Sequence, residues 1–125
     1  RLARVIAGLD SSLVMLCMTG HPIEKAAQKA GLRVRHLLLA DRAYRADGTL
    51  VPRGQPGAVI HAPELMRERI GYFLKQGGVI TQDGTALPIK TRSILLHSDT
   101  PGSDVLARTI ASQIMEAGGQ ILRPD

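Results

Sequence analysis

The chain has 125 residues, a formal net charge of +5 and one cysteine. Its length suits one domain with one core, and the lone Cys17 excludes an internal disulfide, so a buried thiol in a reducing cytoplasm is expected. The basic residues are scattered without aromatic interleaving, which suits anionic ligands better than nucleic acid, and no apolar run nears the ~20 residues that span a bilayer.

The chain opens RLARVIAGLD, without a Met and without a signal peptide. It is expected to be the later part of a longer protein, or a product with its front removed. Leu2, Val5, Ile6 and Leu9 have helical spacing. Leu13 to Met18 is a continuous apolar run, the pattern of a strand covered on both faces. Thr19-Gly20-His21-Pro22 starts a short helix with Ile23, Ala26, Ala27 and Ala30 on its apolar side, and Gly31 ends it. Arg33 to Leu39 reads as the second strand. Strand, short helix, strand is a βαβ rhythm, which implies parallel pairing.

Ala40 to Gly57, ADRAYRADGTLVPRGQPG, has neither helical nor strand period. A connection this long in a compact domain binds something or is disordered. Tyr44, Leu50, Val51, Val59 and Ile60 are apolar anchors that argue for order. A helix follows from Pro63 to Gln76, with Met66, Ile70, Phe73 and Leu74 as its buried stripe and Glu64, Arg67, Glu68 and Lys75 towards water. Gly77-Gly78 stops it. Val79 to Thr81 and Ala86 to Ile89, joined through Asp83-Gly84, read as a hairpin. Ser93 to Leu96 is a third core strand. HSDTPG, His97 to Gly102, turns into a last helix lined by Leu106, Ile110 and Ile114, and Gly118-Gly119 ends that helix.

This is an α/β chain, in which sites lie beyond the carboxyl ends of the strands. Asp41 and Arg42 follow one such end; His97, Asp99 and Thr100 follow another. The two clusters are expected to share a rim, with Arg53 approaching it. His97 suits proton transfer near neutral pH. Asp99 suits three roles: orienting that His, acting as a base, or holding a metal. The commoner role for Asp99 or Thr100 is to cap the helix, with Pro101 in its first turn. Asp41, Arg42 and Tyr44 suit an acid, an anion clamp and a polar ring in a cleft, or an internal Asp–Arg pair that orders the loop. Arg53, between Pro52 and Gly54, suits a phosphate or carboxylate, or simply a solvated surface. His21 and His61 read as helix-entry residues and His36 as a strand residue, none of them metal ligands. No Walker, Rossmann, zinc-finger or nucleophile-elbow motif occurs.

ADRAY…DGTLVPRGQPGAVI, Ala40 to Ile60, closely resembles the signature of the LamB/YcsF family. SILLHSDTPGS, Ser93 to Ser103, resembles its second signature, usually SICVHGDTPGA. The resemblance covers essentially the whole chain and corresponds to the carboxyl-terminal half of a usual member. The acidic DLN-type motif and the Cys-Gly-x-His-x-Gly-Asp motif of the amino-terminal half are not in this sequence. Leu37 and Leu39 stand where members usually carry Glu and an aromatic, and Ser98 stands in place of Gly, which restricts backbone approach.

The resemblance implies part of a seven-stranded β/α barrel of the glycoside hydrolase/deacetylase type, with parallel strands and outer helices. It implies the A subunit of an ATP-dependent 5-oxoprolinase that works with two partner subunits and cleaves the lactam of 5-oxo-L-proline to L-glutamate, with ATP and, by implication, Mg2+. Within that reading Asp41, His97 and Asp99 are the proton-transfer candidates, and Arg42, Tyr44, Arg53 and Thr100 the substrate- or phosphate-binding ones. The alternative is a non-catalytic half-barrel remnant that binds a partner chain; a metal-dependent hydrolase rests on fold analogy alone. Either way the exposed edges of half a barrel are expected to be covered by the amino-terminal half or by another copy of the chain. The fragment alone is expected to be inactive.

Overall fold

The computed structural model describes residues 1–122. The chain divides into two compact units. The first comprises residues 1–38 and 90–94, the second 39–89 together with the remainder from Leu95.

In the first unit, α1 (Leu2–Leu9) is followed by β1 (Val14–Cys17), α2 (Pro22–Lys29) and β2 (Arg33–His36). β1 and β2 pair in parallel, Val14 opposite Arg33 through Cys17 opposite His36, as the βαβ rhythm requires. α2 starts at Pro22 because proline needs no N–H partner there, and His21 caps it by accepting the Ile23 N–H at Nδ1. Ala3, Ala27 and Leu32 form the unit's centre, with Ile6, Ala7, Met15, Ala26, Ala30 and Val34 packed around them.

β1 departs from the expectation of a strand covered on both faces. Leu16 is 53% exposed, whereas the next residue, Cys17, is buried; Leu13, which precedes β1, is 47% exposed. Side chains alternate between faces along a strand, and here only one face meets the helices. Burial, with the nearby Glu24 carboxylate second, pushes the Cys17 thiol up.

The predicted strand Arg33 to Leu39 is broken in two. β2 ends at His36, and β3 (Leu38–Leu39) pairs instead with β6 (Ile94–Leu95). The break comes from a change of partner. Leu37 N–H still donates to Cys17 O, but Leu38 N–H donates to Ser93 O and Ala40 N–H to Leu95 O.

In the second unit, α3 (Pro63–Gln76) leads into the antiparallel pair β4 (Gly78–Ile80) and β5 (Ala86–Pro88), and α4 (Ser103–Glu116) packs on α3. Met66, Ile70 and Phe73 of α3 and Leu106 and Ile110 of α4 are buried; Leu74 is more than a third exposed, contrary to expectation. It lies about 100° around the helix from Phe73, at the edge of the stripe beyond Ile70. No Asp99 or Thr100 cap forms on α4. Gly102 takes the N-cap in the left-handed region, without a side-chain cap bond, and this one-residue turn moves the helix start past both.

The loop from Ala40 is ordered by its own bonds. Ala43 N–H donates to Ala58 O, Val51 N–H to Ala43 O and Ile60 N–H to Asp41 O, and isolated antiparallel bridges join Arg42 to Val59 and Tyr44 to Leu50. Ala43, Val51 and Ala58 make a small apolar centre beneath it. The backbone thus satisfies its polar groups without regular structure.

Gly78 lies against the opposite strand: a Cβ there would collide with the Leu87 carbonyl oxygen. Gly78→Ala should therefore force β4 and β5 apart and lower the unfolding free energy by about 1–3 kcal/mol, as overpacked sites do. Denaturant unfolding reads this directly. An unchanged midpoint would show that the hairpin shifts freely.

Candidate functional site

Asp41 and His97 meet. β3 and β6 are paired, and each is followed at its carboxyl end by one of these residues. His97 Nδ1 lies 2.9 Å from both carboxylate oxygens of Asp41. Asp41 is 1% exposed, whereas the His97 side chain is 27% exposed. A buried carboxylate accepts and cannot donate, so Nδ1 carries the proton and Nε2 is left as the basic nitrogen. A carboxylate holding one ring nitrogen so that the other works is the arrangement used to orient a histidine base.

The remaining predicted residues divide sharply. Arg42 is buried, and its guanidinium faces the loop's own backbone: Nη2 donates to Val51 O at 2.8 Å and Nε to Ala58 O at 3.4 Å. It ties three points of the loop together. The expected Asp41–Arg42 pair is replaced by Asp41–His97. Tyr44 is also internal, 2% exposed; its hydroxyl accepts the Leu39 N–H at 3.0 Å. Burial raises the Tyr44 phenol's pKa, so it stays neutral at physiological pH.

Arg53 and Asp99 are exposed and make no side-chain hydrogen bond among the described residues. Thr100 is buried, and its carbonyl accepts the Ser103 N–H. Ser98 adopts no left-handed backbone, so replacing Gly there stores no strain; no described non-glycine residue has a positive φ. Its carbonyl accepts the Ser103 hydroxyl. Leu37 is 7% exposed, an apolar group in the core. His36 lies 3.0 Å from Glu24 in the first unit.

Arg69 is a neighbour of the pair that the sequence pattern did not single out. It projects from α3 beside Asp41 and Tyr44. Nη2 donates to Arg42 O at 2.7 Å, and the guanidinium lies over the Tyr44 ring, 5.5 Å from its centroid. Burial lowers its pKa to about 10, opposed by Tyr44 and Asp41, so the group remains charged at neutral pH. The available signal was a cation three residues after Met66 and one before Ile70, on the edge of the apolar stripe.

The profile of the LamB/YcsF family matches residues 1–124. The chain belongs to the LamB/YcsF family. Among curated relatives, the second 5-oxoprolinase A subunit of Agrobacterium fabrum is 47% identical over 123 residues, covering 98% of this chain and 48% of that protein. The 5-oxoprolinase A subunit of Pectobacterium atrosepticum is 44% identical over 121 residues, covering 97% and 47%. The chain thus spans about half the length of these relatives. A crystal structure of a lactam utilization protein from Thermus thermophilus superposes with a TM-score of 0.85 at 28% identity, covering 96% of this chain and 47% of that one. The mixed α/β fold with parallel strands and helices is therefore the family's. No helix among the described residues is long and apolar enough to cross a membrane.

Proposed function

We propose that this chain is the carboxyl-terminal half of the A subunit of a cytoplasmic 5-oxoprolinase, completing a seven-stranded barrel with its amino-terminal half. In this reading it works with two partner subunits to hydrolyse 5-oxo-L-proline to L-glutamate. The family and the names of the relatives support the reaction class. The observation that carries the chemistry is the buried Asp41 carboxylate against His97 Nδ1.

The lactam carbonyl must gain a water oxygen, lose its ring nitrogen and return one proton to that nitrogen. His97 Nε2 takes the proton from the attacking water as the C–O bond forms. Asp41 fixes the imidazole's tautomer and balances the imidazolium that results. The same nitrogen then gives the proton to the departing amine as the C–N bond breaks. Asp99 and Arg53, exposed on the same loops, are assigned to contacts made on binding, and Thr100 to shaping the turn under His97.

Arg42, the expected phosphate clamp, is not free to hold a nucleoside triphosphate. Arg42 is committed to backbone carbonyls. The groove on the outside of the loop is lined by Arg45, Ala46, Asp47, Gln82 and Asp83. Hydrogen bonds from Thr49 and from Thr81 hold the two carboxylates below their usual range, and one arginine against two carboxylates gives the groove no preference for an anion. ATP and its Mg2+ are therefore assigned to other parts of the assembly.

The test is reconstitution: the complete protein with its two partners, 5-oxoproline and ATP, assayed for glutamate release. Turnover is expected, and this chain by itself should give none. A complete assembly without turnover overturns the proposal. The second reading, a half-barrel that only binds a partner chain, would then lead; it is favoured by the exposed Leu2, Val5, Leu9 and Leu16.

A further inference from the structure

We propose that Arg69 is a positioning residue for the Asp41–His97 pair, one that holds the backbone presenting the carboxylate so that His97 is kept ready to accept a proton. The inference rests on the proposed hydrolytic reading of that pair.

Arg69 brackets Asp41 along the chain. On one side its Nη2 holds the carbonyl of Arg42, the residue after Asp41. On the other it lies over Tyr44, whose hydroxyl receives the N–H of Leu39, two residues before Asp41. Both contacts fix the backbone that presents the carboxylate. The Asp41 carboxylate is paired among the described residues with His97 alone, and Arg69 forms no ion pair with it but attracts it at longer range.

A purely structural role explains this placement poorly. The neighbouring inward positions of α3 are Met66, Ile70 and Phe73, and a Met at 69 would extend the same surface. Instead a cation is kept, with its Nε buried and without a hydrogen-bond partner. An unpartnered buried donor destabilises the fold. It is tolerated where the group serves something else, and what the guanidinium holds here is the backbone on either side of Asp41. Because that carboxylate also orients an imidazole, loss of the cation should reach the reaction through His97 and leave substrate affinity alone.

The experiment uses the complete protein with its partners and compares Arg69→Gln with Arg69→Lys. Gln retains a donor for the Arg42 carbonyl and removes the charge; Lys retains the charge. Arg69→Gln should lower kcat about tenfold or more, the order of a lost positioning charge, with KM within about twofold. Arg69→Lys should recover most of kcat. Imidazole 15N spectra supply a readout that needs no turnover, with the His97 signal identified by its loss in His97→Ala. Wild type and Arg69→Lys should show a ring protonated at Nδ1, and Arg69→Gln a mixture of tautomers.

The inference is overturned if Arg69→Gln keeps both wild-type kcat and the wild-type His97 spectrum, or if Lys rescues neither. Should the wild-type assembly lack turnover, the hydrolytic reading fails separately, and the spectra alone decide whether Arg69 positions the pair.

Discussion

In the reconstituted assembly, His97→Ala should reduce kcat for 5-oxoproline hydrolysis about a hundredfold or more, the usual contribution of a positioned proton-transfer group. Asp41→Asn should cost a comparable factor by a different route. The amide is nearly the same shape, so packing around a residue that is 1% exposed is kept. An amide, however, can donate to Nδ1, and the imidazole is then free to carry its proton on Nε2, where it cannot act as a base. Both variants should fold, because His97 is partly exposed and Asn fills the Asp41 site. The double variant should be little worse than either single one, since the two residues act as a unit. Near-wild-type rates in both single variants, with normal folding, would remove the pair from the mechanism.

Arg42→Met should act on stability where the pair acts on rate. Two guanidinium nitrogens reach the carbonyls of Val51 and Ala58 across the loop, and both of those residues are buried. Met keeps much of the volume and removes the donors. Hydrogen bonds to a charged group contribute about 1.5–3 kcal/mol each, and carbonyls left buried without a donor add a desolvation cost. The Ala58 contact is long, so a loss of about 2–3 kcal/mol in unfolding free energy is expected rather than the full sum. Denaturant unfolding measures the loss. At temperatures where the variant stays folded, KM for 5-oxoproline should change by no more than about twofold. If instead stability holds and KM rises more than about tenfold, Arg42 contacts an anion, as its place in the signature suggests.

These two experiments divide a single dipeptide. Asp41 and Arg42 are adjacent in the chain and read from sequence as one charged cluster. In the fold their side chains part: the carboxylate turns to His97 and the guanidinium to the loop's carbonyls. Rate and stability are therefore expected to respond separately, which gives each assignment an independent measurement.

Much of the scaffold is determined locally, and so was legible in the sequence. Pro22 and Pro63 start α2 and α3 because proline preorganises a first helical turn and needs no N–H partner. Gly77 ends α3 because its left-handed backbone, at φ 71°, suits glycine. The Asp83-Gly84 turn joins β4 to β5 for similarly local reasons. The meeting of Asp41 with His97 was also within reach, since residues following adjacent strand ends share a rim. Tertiary structure alone decided the rest. Strand partners split Arg33 to Leu39 into β2 and β3, because an extended segment carries no mark of which neighbour each peptide will bond. Covering elements decide burial, so Leu16, in an unbroken apolar run, is half exposed. The roles of Arg42 and Arg69 could not be read from their positions, because a guanidinium's function depends on which carbonyl or carboxylate the fold brings within about 3 Å of it.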